Sequence, residues 1–236
     1  MSDYIIETEG LDMRYRTETL ETLALNKVAL KIKRGEFISI MGPSGCGKST
    51  LLNVLAMLDK PTAGHYYFDG TDISNFSERE RAKIRKAQVG FVFQSFNLID
   101  ELSVYENVEL PLLYLRKAKA ERQKKVNEIL DRMGLSHRAA HYPKQLSGGQ
   151  QQRVAVARAL VSDPKVIFAD EPTGNLDSVH GDEVMALLSD LNRAGTTIVM
   201  VTHSPHDAGF SERSIRLFDG KVIGEEENNL KELNPQ

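Results

Sequence analysis

The stretch Gly42-Pro43-Ser44-Gly45-Cys46-Gly47-Lys48-Ser49 fits G-x-x-x-x-G-K-[ST]. No other feature constrains the fold as much, because this pattern works only as a loop between a buried strand and the first turn of a helix. The flanks have that character. Phe37 to Met41 is a short apolar run without alternation, as in a parallel strand covered on both faces, and Leu51 to Leu58 has helical content. The glycines let backbone N–H groups converge on a polyphosphate, and the helix offers the positive end of its dipole to the same anion. Lys48 is placed to reach the β and γ phosphates, and Ser49 to ligate Mg²⁺. Such a loop specifies a bound nucleotide and no more, since unrelated activities share it.

Around the loop the chain changes character three times. Before it, Val28, Leu30 and Ile32 alternate with Ala29, Lys31 and Lys33, the period of a half-buried strand. After it, Pro61 and Gly64 end the helical region and Tyr66 to Phe68 before Asp69-Gly70 reads as strand and turn. From about Ser95 to Val161 the pattern is helical. Val126, Ile129, Leu130 and Met133 fall at i, i+3, i+4 and i+7 and stop at Gly134, and a second helix runs from about Gly149 to Ser162 before Pro164. The last third returns to strands at Val166 to Ala169 and Thr197 to Val201, with a helix at Glu183 to Leu191 between them. Ile215 to Ile223 around Asp219-Gly220 reads as a hairpin, and residues 225–236 as a loosely held polar tail.

Composition narrows the function classes. With 41% hydrophobic and 27% charged residues the chain is an ordinary globular one. A net charge of −3 is poorly suited to holding nucleic acid by bulk charge. Cys46 is the single cysteine, so an intrachain disulfide framework is excluded. No secretion signal is visible at the N-terminus, and no apolar run approaches the roughly 18 residues of a membrane span, which points to a cytoplasmic chain that can still sit against a membrane protein.

Further motifs carry chemistry. In Val166-Ile167-Phe168-Ala169-Asp170-Glu171 a carboxylate ends a buried strand, where Asp170 can hold a Mg²⁺ shell and Glu171 can polarise a water for attack on the γ phosphate; two solvated acids at a strand end is the plainer alternative. Leu146-Ser147-Gly148-Gly149-Gln150 combines a helix-capping serine with two glycines, which makes a second anion site with no lysine of its own, or simply a capped turn. His203 follows the strand Thr197 to Val201. With His206 it could form a metal pair, a reading weakened by the lack of a nearby Cys.

The order of the glycine-rich loop, Gln94, Leu146–Gln150, Asp170-Glu171 and His203 resembles the nucleotide-binding subunit of ABC transporters, over roughly residues 4 to 224. The resemblance implies an α/β fold: a P-loop NTPase core (1–94 and 162–224) with an N-terminal antiparallel β subdomain, and an inserted helical subdomain (95–161). It implies two copies joined head to tail around two ATP and Mg²⁺. Gly42, Pro43, Ser44, Gly45, Cys46, Gly47, Lys48, Ser49 and Thr50 of one copy would bind ATP, with Tyr15 stacked on adenine. Ser147, Gly148, Gly149, Gln150 and Asp177 of the other copy would face the same nucleotide. Gln94 would contact Mg²⁺ and the attacking water, Ser49 and Asp170 (through water) would complete the metal's surroundings, and Glu171, His203, Gln94 and Lys48 would be the catalytic set. Asp177, in Gly174-Asn175-Leu176-Asp177, could equally cap the next helix, or do both. The family commonly has Asp after the histidine, where Ser204 stands here. Cys46 occupies a free position of the loop, where a thiol beside phosphate would make activity sensitive to alkylation.

Two classes of ABC protein compete. The DNA-repair type separates its motor halves by a long coiled coil, and the translation type carries two motors in one chain; this chain has neither feature, so the resemblance favours a transporter subunit on the inner face of the membrane, held there by a permease. Leu58-Asp59-Lys60-Pro61-Thr62, Phe91–Gln94, Phe96-Asn97-Leu98, Glu106-Asn107-Val108 and Pro111-Leu112 are similar to the ATPases of lipoprotein-release, macrolide-export and antimicrobial-peptide-export systems, with importer and cell-division subunits as near alternatives. Phe96 to Leu113 is expected to line the groove that receives a cytoplasmic helix of the membrane partner.

Overall fold

The computed structural model describes residues 3–16 and 21–228. In chain order the elements are β1 (Tyr4–Arg16), β2 (Glu21–Lys33), β3 (Phe37–Met41), α1 (Lys48–Leu55), β4 (Ala63–Phe68), β5 (Thr71–Asp72), α2 (Glu78–Gln88), β6 (Val89–Phe93), α3 (Val104–Tyr114), α4 (Lys119–Arg132), α5 (Gly148–Leu160), β7 (Val166–Asp170), α6 (Ser178–Arg193), β8 (Thr197–Val201), α7 (Pro205–Ala208), β9 (Arg213–Phe218) and β10 (Lys221–Glu227). They fall into two compact units, Met1–Ala82 with Ser189–Gln236, and Lys83–Leu188. The mixed α/β architecture expected from the sequence is present, antiparallel sheet included. No helix among the described residues is long and apolar enough to cross a membrane.

In the first unit, β2, β1, β4 and β5 form an antiparallel sheet in that order. Period-two alternation buries Val28, Leu30 and Ile32 of β2, Leu25 is buried across a register shift, and Thr8 pairs with Leu30. The Asp69-Gly70 turn has φ of 53° and 76°, the left-handed pair that matches the twist of a tight hairpin. A second group of strands is built on β3, which runs parallel to β8 on one side and to β9 on the other. Phe37, Ile38 and Ile40 are buried, as is every residue of β8, which is why neither strand alternates in sequence. β10 returns antiparallel to β9 through Asp219-Gly220, with φ of 45° and 72°.

Two expectations need correction here. Helix α1 ends at Leu55 and does not continue to Leu58. Met57 adopts a φ of 61°, its N–H bonds the Val54 carbonyl at 3.0 Å, and the Leu58 N–H reaches back to Asn53 at 2.8 Å. That is the six-to-one closure usually made with glycine. The polar C-terminal segment is held further than expected. β10 extends to Glu227, Arg216 pairs with Glu226 at 3.0 Å, and the Asn228 amide donates to the carbonyls of Ala208 and Ser211, each at 3.0 Å. The rest of that tail, residues 229–236, lies outside the described residues.

In the second unit, β6 and β7 pair in parallel, Val89 opposite Val166 and Phe93 opposite Asp170. Helix α5 buries Val154, Ala155, Val156, Ala157 and Leu160, and comes so close to β6 that a Cβ on Gly90 would lie 2.5 Å from the Ala159 carbonyl oxygen. Helix α4 buries Val126, Leu130 and Met133. It closes as expected on Gly134, at φ 68°, with the Leu135 N–H on Leu130. Helix α3 starts in a reciprocal cap, Ser103 Oγ accepting from the Glu106 N–H while the Glu106 carboxylate accepts from Ser103.

Candidate functional site: two phosphate cradles

Each unit carries part of the expected constellation. In the first, the glycine-rich loop leaves the end of β3 and enters α1. The Thr202 N–H bonds the Ile40 carbonyl at 3.2 Å, so His203 emerges at the same end of the paired strands β3 and β8 as the loop. Loops at the C-terminal ends of parallel strands are where such folds place ligands. Gly45 and Gly47 have φ of 77° and 102°, and a Cβ on Gly47 would sit 2.6 Å from the Ala24 carbonyl oxygen. Gly47 begins α1 without a side-chain cap, and no acid lies in the first turn, so the helix N-terminus keeps its positive end for an anion. Lys48 is buried, and its Nζ donates to the carbonyls of Gly42 at 2.8 Å and Pro43 at 2.9 Å. Phosphate oxygens can replace those two acceptors without any loss of hydrogen bonds. Pro43, Ser44, Gly45 and Ser49 are exposed along the loop.

Sequence reasoning did not foresee what supports the loop from beneath. The Gly220 N–H at the tip of the β9–β10 hairpin bonds the Cys46 carbonyl at 2.9 Å, and the Gly220 carbonyl accepts from Asn26 at 2.8 Å. A Cβ on Gly42 would lie 2.1 Å from the Leu217 carbonyl oxygen and 2.7 Å from Cys46 Sγ. The Cys46 side chain is therefore turned under the loop and is 4% exposed, so a thiol reagent reaches it only if the loop opens. The only hint in the sequence was Asp219-Gly220 itself, which shows a turn but not what the turn touches.

Tyr15 sits near the end of β1, 43% exposed, with its hydroxyl donating to Asp59 Oδ2 at 3.3 Å. Partial burial pushes its phenol up, against a Thr50 hydrogen bond that lowers it, with Asp59 raising it further. Tyr15 and Thr50 are thus brought together. Ser204 caps α7, its Oγ accepting from the Asp207 N–H at 3.2 Å, while the Ser204 N–H bonds Thr202 Oγ1 at 3.0 Å. The serine therefore shapes the turn that carries His203. Among the described residues no group of three or more His, Cys, Asp or Glu could hold a metal ion.

In the second unit the Phe93–Asp170 register sets Gln94 and Glu171 side by side, one residue beyond the ends of β6 and β7. Glu171 has a φ of 44°, costly for a residue with a Cβ and found where a site over-determines the backbone. Its carbonyl accepts from Gly174 at 3.0 Å, and Asn175 Nδ2 donates to the Gln94 carbonyl at 3.0 Å. Gly174 gives the Gln94 side chain its room: a Cβ there would lie 2.6 Å from Gln94 Nε2. The following turn, with Phe96 and Asn97 at φ of 59° and 48°, is clamped by Arg158 through the Phe96 carbonyl at 2.8 Å and the Asn97 carbonyl. The fully buried Asn107 holds Ile99 and Leu102 in the same way, at 2.8 to 3.0 Å. Arg158 had shown no functional signal in the sequence, and Asn107 only as part of Glu106-Asn107-Val108.

Ser147 caps α5 reciprocally with Gln150, at 3.3 and 3.1 Å, and remains exposed. The cap uses the Gln150 N–H and leaves Gly148 and Gly149 in the first turn of a 13-residue helix, a second helix N-terminus with no acid in its first turn. Asp177 accepts from the His180 N–H at 2.9 Å, so the capping role allowed for it is present. That N–H and the His180 ring hold its carboxyl below the usual carboxylate range.

The family model described as ABC transporter matches residues 25–174. This chain belongs to the ABC transporter family. As an ABC ATPase subunit it is 51% identical over 219 residues to the uncharacterized ABC transporter ATP-binding protein MJ1508 of Methanocaldococcus jannaschii, covering 93% of this chain and 98% of that protein. It is 48% identical to the macrolide export ATP-binding/permease protein MacB of Marinobacter nauticus over 93% of this chain, and there it spans 34% of the relative's length. Among solved structures, a dimeric post-hydrolysis state of the ATP-binding cassette MJ0796 bound to ADP and Pi superposes with a TM-score of 0.87 at 48% identity, over 95% of this chain and 99% of that one.

Proposed function

We propose that this ABC ATPase pairs with a second copy of itself around two ATP and drives a separate integral membrane permease, on the cytoplasmic face of the membrane, for export or release of a lipophilic, peptide or antimicrobial substrate. The chain acts as one ABC ATPase domain, with 95–161 as its signature-bearing helical part. The observation that carries the reading is two helix N-termini in one chain with no acid in their first turns, one bearing Lys48 and one capped by Ser147 with no lysine. Two copies arranged head to tail give each ATP one cradle of each kind. The dimeric MJ0796 cassette and the fused permease of the MacB relative support the two partnerships.

Each residue's part follows from its chemistry. Gly42 to Thr50 cradle the phosphates, Lys48 exchanging its two loop carbonyls for phosphate oxygens, and Tyr15 offers a ring face to adenine. Ser147, Gly148, Gly149, Gln150 and Asp177 serve the opposite copy's nucleotide. Ser49, Gln94 and Asp170 present only oxygen donors, which suits Mg²⁺, and an ion held largely by substrate phosphates needs no cluster of protein carboxylates. Ser49 and Gln94 would hold it directly and Asp170 through water; when bound it supplies positive charge to the phosphate oxygens. Glu171 orients the attacking water and takes its proton, and His203 donates towards the γ phosphate.

The test is Glu171→Gln. Hydrolysis should fall by roughly 10²–10⁴-fold, the usual worth of a general base, while an ATP-dependent dimer persists in size-exclusion chromatography. Undiminished turnover removes Glu171 from its role. Captured from detergent-solubilised membranes with ATP, the same variant should bring down a membrane protein; recovery of ribosomal or DNA-bound proteins alone defeats the transport reading.

A further inference from the structure

The cap at the start of α6 does more than begin a helix. His180 donates its N–H to Asp177 Oδ1 at 2.9 Å and turns its ring back so that Nδ1 lies 2.8 Å from both carboxylate oxygens. The other edge of the ring lies against the signature loop: a Cβ on Gly149 would fall 2.6 Å from His180 Cδ2 and 3.1 Å from Cγ. One side chain therefore touches the two segments proposed to meet the opposite copy's ATP. A second link lies one turn further along both helices, where Arg153 of α5 pairs with Glu183 of α6 at 2.6 Å. Neither a small aliphatic nor a hydroxyl side chain at position 180 could make both contacts, because reaching the carboxylate and packing on the glycine backbone needs the width of a ring.

We propose that His180 is a positioning residue that fixes Asp177 relative to Gly149, so that the two segments reach the opposite copy's nucleotide as one rigid edge. Its Nδ1–H bond orients the Asp177 carboxylate, and its ring sets the distance from that carboxylate to the glycine backbone. The effect falls on closure of the dimer and on the hydrolysis that closure permits. Binding of ATP to the lysine-bearing cradle is untouched, because His180 makes no contact there. This inference rests on the proposed self-dimer.

The experiment uses the full chain in two backgrounds. With Glu171 intact, kcat and KM for ATP are measured for His180→Ala, His180→Phe (ring without donor) and His180→Asn (donor without ring). In the Glu171→Gln background, the ATP concentration giving half-maximal dimer is measured for the same three. His180→Ala should lower kcat about tenfold, the scale of a sub-ångström misplacement, with KM within about twofold, and should raise the dimerisation midpoint. His180→Phe and His180→Asn should each recover part of the loss. Unchanged kcat and midpoint in His180→Ala overturn the inference while leaving the dimer reading intact. So does a rise in KM matching the fall in kcat, or a fall in thermal midpoint common to all three variants. If the Glu171→Gln chain with His180 present forms no ATP-dependent dimer, the self-dimer reading fails and the inference fails with it.

Discussion

Gly174→Ala perturbs the Gln94 position without replacing any residue proposed to act on the nucleotide. Gly174 has no left-handed φ, so alanine fits the backbone, and the substitution should even restrict the unfolded chain by about 0.4–1 kcal/mol in favour of folding. The conflict is local. The new Cβ would meet Gln94 Nε2 at 2.6 Å, Cδ at 3.1 Å and Cγ at 3.2 Å. Ordinary contact begins at 3.4 Å, so the amide must retreat by about 0.8 Å, from 2.6 to 3.4 Å. Gln94 is the end of a flexible side chain, so the retreat costs a rotamer distortion of about 0.5–1.5 kcal/mol, and net stability should stay within about 1 kcal/mol of the parent. Activity should not be spared: a shift near 1 Å in a positioning group costs up to about 10²-fold, so kcat should fall roughly 10- to 100-fold. The assay pairs steady-state ATPase kinetics with urea denaturation. Parental kcat in a folded Gly174→Ala chain would show that the Gln94 amide has no part in the reaction.

Two further outcomes follow from packing and charge. Gly90→Ala drives a Cβ to 2.5 Å from the Ala159 carbonyl oxygen, a backbone atom that cannot swing aside, and should destabilise the chain by about 1–3 kcal/mol in urea; an unchanged midpoint would contradict the close β6–α5 approach. Hydrogen bonds from the Ser103 side chain and backbone hold the Glu106 carboxyl below its usual value, so its contribution is full above the unfolded-state pKa and is lost as pH falls through the lower folded one. The stability gap between parent and Glu106→Gln should therefore be present at neutral pH and close on acidification through about pH 4, and a gap that persists below that range refutes the linkage.

Much of this was legible in the chain because local rules and tertiary context agree. The apolar runs Phe37 to Met41 and Thr197 to Val201 are strands with nearly those bounds, since burial on both faces leaves a short unbroken signature. Gly134 stops α4 where the sequence says it should. Met57 stops α1 where it does not, because a left-handed methionine is tolerated only when packing compels it and leaves no compositional trace. The order of the motifs carried the resemblance to the family whose model matches residues 25–174. The supports of the motif residues were not legible: Arg158 and His180 act through contacts with residues 31 to 62 positions away, and nothing in a local window marks them. Asn107 bridges only eight residues and stood in the quoted Glu106-Asn107-Val108, but the backbone groups it holds show only once its partners are seen.

The hairpin tip beneath the glycine-rich loop has a consequence for the order of events during synthesis. Cys46 is made well before Gly220, yet their backbones are joined, and Ala24 and Asn26 complete the same seat. A nascent chain that has emerged only through β8 already holds every residue of the loop but lacks the seat. Domains form from the N-terminus as they leave the ribosome, and contacts this distant in sequence form slowly. Support of the loop from beneath is thereby tied to synthesis of the β9–β10 hairpin, so a chain that stops short of it holds the loop residues without the backbone that seats them.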